Sequence, residues 1–193
     1  MLYIRARNKQ NENISYDFKA GCFENSLFYK LTVLYKSMVM LPFNFFHKLR
    51  MHAGVIHGHV HSSEKFFLGD HVRGYVPMSI SPLDMNEYLG GKSCIELSNA
   101  LGYRFRSMKL FVFNDFGFNS RQNNLFETVK SSMLGLLLVH KPSCLGWSTG
   151  IGLTVGLHKY KDITTNITMS YAIPLTEPQS KQSFKFEIDF DIL

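Results

Sequence analysis

The final stretch of the chain alternates with period two along its whole length: Phe184, Phe186, Ile188, Phe190 and Ile192 are interleaved with Ser183, Lys185, Glu187, Asp189 and Asp191. Successive side chains of a β-strand point to opposite sides of a sheet, so the pattern predicts a strand with one apolar and one strongly charged face. Just upstream, Ile167, Met169, Tyr171 and Ile173 alternate with Asn166, Thr168, Ser170 and Ala172, and the run stops at Pro174, which has no N–H to give a central ladder. A third strand sets Trp147, Ile151, Leu153, Val155 and Leu157 against Gly150, Gly152, Thr154 and Gly156, leaving its second face almost bare.

The same period recurs nearer the start. Leu49, Met51, Ala53 and Val55 alternate with Lys48, Arg50, His52 and Gly54, while Tyr29, Leu31, Val33 and Tyr35 alternate with Lys30, Thr32 and Lys36. Tyr16, Phe18, Ala20 and Cys22 repeat it more weakly, and segments 94–101 and 107–115 bring the expected total to about eight strands. Each is near the roughly 9–11 residues that a tilted strand needs to cross a bilayer. Two connections are long, 57–92 and 118–146. In the second, Leu125, Phe126, Val129, Met133, Leu136 and Leu137 are spaced as on a short amphipathic helix. Connections of this length usually carry function or are disordered, so the first needs an explanation.

Composition narrows the class to all-β with a use for many aromatics. The chain has 193 residues with 17 Phe and 9 Tyr, more than a small soluble core commonly holds, and a transmembrane barrel places such rings on its lipid face and in its interfacial girdles. A charged residue turned toward lipid near the midplane costs about 2–4 kcal/mol, so in a membrane the row from Lys185 to Asp191 is expected to face the lumen. No run of 18 apolar residues occurs, which excludes a helical span, and the opening Met1-Leu2-Tyr3-Ile4-Arg5-Ala6-Arg7 lacks the apolar core of a secretory signal. The formal charge of +6 is scattered between strands rather than gathered in a block, which argues against nucleic acid as a partner. Cys22, Cys94 and Cys144 form no Cys-x-x-Cys pair, so neither a zinc knuckle nor a disulfide framework is expected.

His57, His59 and His61 have strand-like spacing, with His52 and His71 nearby, but no acidic or cysteine ligand accompanies them at fixed spacing. They are expected to be solvated loop histidines, with no metal site. Gly150-x-Gly152-x-x-x-Gly156 has the wrong spacing for a nucleotide loop and lies within a strand. Nothing in the order of serines, histidines and acids defines a catalytic residue.

Between the strands lies Phe66-Phe67-Leu68-Gly69-Asp70-His71-Val72-Arg73-Gly74-Tyr75, followed by Tyr88-Leu89-Gly90-Gly91-Lys92 and later by Tyr171-Ala172-Ile173-Pro174-Leu175. In order and approximate spacing these motifs resemble the family of mitochondrial sorting and assembly machinery core subunits. That family belongs to the BamA, or bacterial surface antigen, superfamily of outer-membrane barrel-assembly proteins. The resemblance runs from about Phe18 to Leu193, takes in Ala20-Gly21-Cys22-Phe23 and Phe28-Tyr29-Lys30, and corresponds to the C-terminal half of the family's proteins. It departs from the family pattern where Asp70 replaces the usual second glycine, and in the last strand, which lacks glycine.

The resemblance implies a transmembrane antiparallel β-barrel portion, about eight strands of a barrel of about sixteen, with the loop 57–92 folded inward. The domain expectation is a single barrel portion over 1–193 with no POTRA domain. In the loop motif Val72, Arg73, Gly74 and Tyr75, the arginine would meet acidic and aromatic groups on the inner wall. A planar guanidinium suits that role, because it pairs bidentately with a carboxylate and stacks on rings. Leu68, Gly69, Gly90 and Gly91 would support the motif, and Gly74 would let the backbone turn or approach the wall.

Two acids are candidate partners of the arginine. They are Glu96, on the strand after the loop, and Asp115, within Phe113-Asn114-Asp115-Phe116-Gly117, which resembles the superfamily's Phe-x-Asp-x-Gly. Alternation puts Asp115 on the same face as Phe111 and Phe113, which is an odd neighbourhood for an inward acid. The implied activity is insertion and assembly of β-barrel precursors into a mitochondrial or mitosomal outer membrane, without catalysis or cofactor. Its partners would be unfolded barrel precursors, other subunits of an assembly complex and membrane lipid. Two further readings stay open at this point: a pore or scaffold barrel without insertase activity, and a soluble eight-stranded barrel whose inner face would be apolar.

Overall fold

The computed structural model describes residues 12–24, 26–85, 87–122, 144–160, 163–176 and 180–192. In chain order the strands are β1 (Glu12–Phe23), β2 (Ser26–Met40), β3 (Phe45–His57), β4 (Gly74–Tyr75), β5 (Leu83–Asp84), β6 (Glu87–Tyr88), β7 (Ser93–Phe105), β8 (Met108–Ser120), β9 (Leu145–Tyr160), β10 (Ile163–Pro174), β11 (Lys181–Gln182) and β12 (Phe184–Ile192). The eight long ones form a single antiparallel sheet in the order β1-β2-β3-β7-β8-β9-β10-β12. Every long strand therefore pairs with the long strands next to it in sequence, as in an up-and-down barrel wall. β1 and β12 are its two edges, and the sheet is not closed.

The strands predicted over 94–101 and 107–115 are longer in the structure, because β7 and β8 pair continuously from Ser93↔Ser120 to Phe105↔Met108. Correspondingly, the connection placed at 118–146 is shorter, since β8 runs to Ser120 and β9 starts at Leu145. The amphipathic helix expected within it lies outside the described residues. Among those described, no helix is long and apolar enough to cross a membrane.

Segment 58–92 leaves β3, carries β4 to β6, and covers one face of the sheet before the chain re-enters at β7. That covered face is called inner below. The opposite face is apolar and uncovered: Leu110, Val112, Ile151, Tyr171, Ile173, Phe184, Phe186 and Ile188 are each more than half exposed. An apolar surface spread over four strands suits hydrocarbon, and it is the reverse of a soluble barrel's polar exterior.

Register arranges the inner face in rows. One row runs Lys36, Arg50, Ser98, Asp115, Ser148 across β2, β3, β7, β8 and β9. On one side of it lies the row His52, Glu96, Gly117, Gly146, and on the other the row Lys48, Ala100, Phe113, Gly150, Ala172. Phe111 and Phe113 thus face inward together with Asp115. The bare face of β9 explains how this is tolerated. A Cβ at Gly150 would lie 2.6 Å from Phe113 Cζ, and one at Gly152 would fall within the Phe111 ring, so each ring fills the space that a missing side chain leaves on the adjacent strand. Such cross-strand aromatic–glycine packing pins register while covering an otherwise unprotected backbone.

Gly150→Val would drive a branched side chain into the Phe113 ring and toward the backbone of Ala172, whose Cα is 2.9 Å from the ideal Cβ. The expected loss of stability is about 1–3 kcal/mol, read as a lower denaturant midpoint in detergent micelles.

Candidate functional site

The loop reaches the wall because its apolar residues have pegs and holes to fill there. Phe66, Leu68, Val72, Tyr75 and Ile80 are buried in one cluster with Phe28 of β2, Ile56 of β3 and Cys94 of β7. Phe66 lies over Gly54, Val72 over Gly117 and Ile80 over Gly146, again ring or methyl against a position with no side chain. The loop's backbone is satisfied as well. Phe66 and Gly91 exchange N–H···O bonds of 3.0 and 2.8 Å, Ile80 N–H donates to Leu68 C=O at 3.2 Å, and Asn119 Nδ2 donates to the Phe66 carbonyl at 2.8 Å. Buried backbone polar groups so paired carry no desolvation penalty.

Gly69 and Gly74 are among the loop glycines whose conformations a side chain would oppose. Gly69 has φ +133° and faces the Val76 carbonyl, and Gly74 has φ +94° with its open side 3.2 Å from Ala172 Cβ and 3.3 Å from Ser148 Cβ. The close approach at Gly74 lets the loop continue as β4, which pairs antiparallel with β11 through Lys181↔Tyr75 and Gln182↔Gly74. Tyr75 then donates from its hydroxyl to the Trp147 carbonyl at 2.6 Å and accepts from Trp147 N–H at 3.1 Å. Leu68, Gly90 and Gly91 are buried at the base of the same loop.

At its centre Arg73 makes a bidentate pair with Asp115: Nε donates to Oδ2 at 2.6 Å and Nη2 to Oδ1 at 2.8 Å. The backbone N–H of Arg73 adds a third bond to Oδ2 at 3.1 Å, and Ser98 Oγ donates to Oδ1 at 2.6 Å while accepting from Nη2 at 3.1 Å. Asp115 is fully buried and receives four donors. The guanidinium carbon stands 3.6 Å from the centre of the Phe113 ring and 5.5 Å from that of Phe111. The two inward phenylalanines are therefore the stacking floor of the arginine, and a desolvated cation–π contact of this kind contributes about 2 kcal/mol. Ser148 closes the site by donating to the Arg73 carbonyl.

Glu96, the other acid proposed for Arg73, does not partner it. It is buried on the neighbouring row, where its Oε2 is 3.0 Å from His52 Nδ1 and 4.0 Å from Arg50 Nη2. The cause is register. Beside Glu96 the inner face is Gly117, which Val72 caps, so the side chain of the next residue, Arg73, falls on the row of Ser98 and Asp115. Of the three spaced histidines, His57 ends β3 stacked on Tyr29, while His59 and His61 both pack on Phe23, with His59 3.5 Å from Glu24.

The site contains residues that the sequence pattern did not single out. Ser98 and Ser148 face inward by alternation, but nothing short of register brings them to Arg73. The loop is further tied at both sheet edges. Lys19 of β1 pairs with Glu64, Lys30 of β2 donates to the Glu64 carbonyl at 2.7 Å, and Lys185 of β12 donates to the Asp70 carbonyl. Chemically the whole is a latch, since its acid is committed to four donors.

Arg73→Ala strands Asp115 without its cation, which for a buried pair costs about 3–5 kcal/mol, and limited proteolysis should then cut segment 57–92 much faster. Glu96→Gln, one row away, should leave that protection nearly intact, and equal sensitivity of the two variants would contradict the assignment of partners. Comparison with known proteins bears on the family and the fold. The model of the Omp85 superfamily domain matches residues 3–191. No curated protein sequence matches, whereas 28 chains of solved structures do. One is the crystal structure of BamA from Haemophilus ducreyi lacking POTRA domains 1-3, with a TM-score of 0.66 at 15% identity, covering 98% of this chain and 41% of that one. At that identity the likeness speaks for the fold, and the chain spans under half the length of the BamA chain. An eight-stranded antiparallel wall, its latched inner loop and a family match over nearly every residue lead to one assignment: this chain belongs to the Omp85 superfamily of outer-membrane β-barrel proteins.

Proposed function

We propose that the protein is a non-enzymatic core component that inserts and assembles β-barrel precursors in the outer membrane of a mitochondrion or a mitochondrion-derived organelle. The observation that carries this reading is the buried Arg73–Asp115 latch, which holds a Val-Arg-Gly-Tyr loop across the inner face. A loop pinned over the inner wall narrows the lumen there, which favours an assembly role over free conduction. In addition, β12 is an edge of the sheet, and an unpaired edge can take up an incoming strand through backbone hydrogen bonds. The barrel precursors would use that mode, with further subunits of an assembly complex and membrane lipid as the other partners. BamA, whose fold this chain shares, is a barrel-assembly protein by family, and the loop motifs resemble those of mitochondrial core subunits, which supports the choice of organelle.

The test is made in membranes from cells that express the protein. Alkali extraction should leave it in the pellet, and Arg73→Ala should slow the assembly of another outer-membrane barrel while the variant stays membrane-bound. Release into the soluble fraction would defeat the membrane reading. Channel conductance in liposomes, with assembly unaffected by loss of the protein, would favour the pore reading instead.

A further inference from the structure

The outer face carries a polar row within its apolar surface. Asn99, Asn114 and Thr149 stand opposite one another across β7, β8 and β9, and each adjoins a member of the inward row Ser98, Asp115, Ser148, so all three point outward. The next outer row toward the β7–β8 turn is Leu101, Val112 and Ile151, and the next row away from it is Leu97, Phe116 and Trp147. Phe105, the last residue of β7, lies six residues from Asn99. That is about 20 Å along the strand and about 16 Å of depth at a tilt of about 40°, inside an apolar band about 25 Å tall. Water does not reach the row there.

Asn99 and Asn114 are both exposed. Asn99 Oδ1 is 2.7 Å from His47 Nε2 of β3, and Trp147 Nε1 donates to Asn114 Oδ1 at 3.1 Å. An indole N–H can only donate, so Asn114 has its oxygen engaged and its N–H2 group left over. Neither carboxamide nitrogen has an acceptor among the described residues, whereas Thr149 donates its hydroxyl to the Phe113 carbonyl at 3.0 Å. Polar groups held in hydrocarbon at such a cost mark contact with another membrane segment.

The geometry points to a docking face for a transmembrane helix of another protein, one that brings an acceptor side chain such as glutamine to the two asparagines. The acceptor follows from what is left over: a second copy of this chain would set donors against donors. A helix follows from the surroundings, because a lone segment in hydrocarbon must satisfy its own backbone and still deliver a side chain at this depth. Leu101, Val112 and Ile151 supply the apolar surface for the rest of its length. The inference rests on the membrane reading of the outer face and is independent of assembly activity.

The experiment reads the fluorescence of Trp147, the one tryptophan of the chain, with the protein reconstituted in phosphatidylcholine vesicles. Lipids brominated on the acyl chain should quench it, and aqueous iodide should not. A poly-leucine transmembrane peptide with a central glutamine and an adjacent bromophenylalanine should quench it at a peptide-to-lipid ratio about three to ten times lower than the same peptide with leucine at the centre. The paired change Asn99→Leu and Asn114→Leu should abolish that preference while protease protection of segment 57–92 persists, and Asn114→Leu alone should remove most of it. Equal quenching by the two peptides, or a preference that both variants keep, overturns the inference. So does self-association of labelled copies that the paired change abolishes, with no response to either peptide. Quenching by iodide and not by brominated lipid overturns it together with the membrane reading, whereas quenching by brominated lipid without a peptide preference overturns it alone.

Discussion

A guanidinium and a carboxylate facing each other inside a protein wall must be matched almost completely, because an unpaired charge there is far costlier than the pair is stabilising. Arg73 and Asp115 meet that condition with two charge-assisted hydrogen bonds, a backbone donor, a serine bridge and a ring beneath the cation. The loop has to be where it is because its arginine has one place to go. The converse also holds: without the loop, Asp115 would be an acid beside the Phe113 ring with no cation to match it.

The packing that surrounds the latch follows a single device. Glycines on β3, β8 and β9 leave holes in the inner face, and bulky side chains from the loop or from the adjacent strand occupy them: Phe66 at Gly54, Val72 at Gly117, Ile80 at Gly146, Phe113 at Gly150 and Phe111 at Gly152. This lets a segment of more than thirty residues lie flat against a sheet whose other face is committed to lipid. Because Lys19 and Lys30 hold the loop near β1 while β11 and Lys185 hold it near β12, the loop acts as a crossbar between the two edges of the wall. β12 is thus joined to the loop through the contact of Lys185 with Asp70, and β11 through its pairing with Tyr75.

Much of this was legible in the order of residues, and the parts that were not share a cause. The alternation of Phe184 to Ile192, of the β9 glycines and of the β3 cations identified the strands and their two faces, because side-chain direction along a strand is a local property with period two. The loop motif was legible too, since glycine at a positive φ and an arginine beside it leave a signature in four residues. Strand ends were less so: β7 and β8 outlast their clear alternation because pairing with a neighbour sustains them.

What the sequence by itself determined was the class of fold, the division of each strand into an apolar and a polar face, and the arginine that had to be satisfied inside. Tertiary structure alone decided which acid satisfies it. Glu96 and Asp115 are both inward and both buried, and they differ by one row of cross-strand register. Register depends on turn lengths and on which ring finds which glycine, quantities that belong to pairs of strands and are written in neither strand separately.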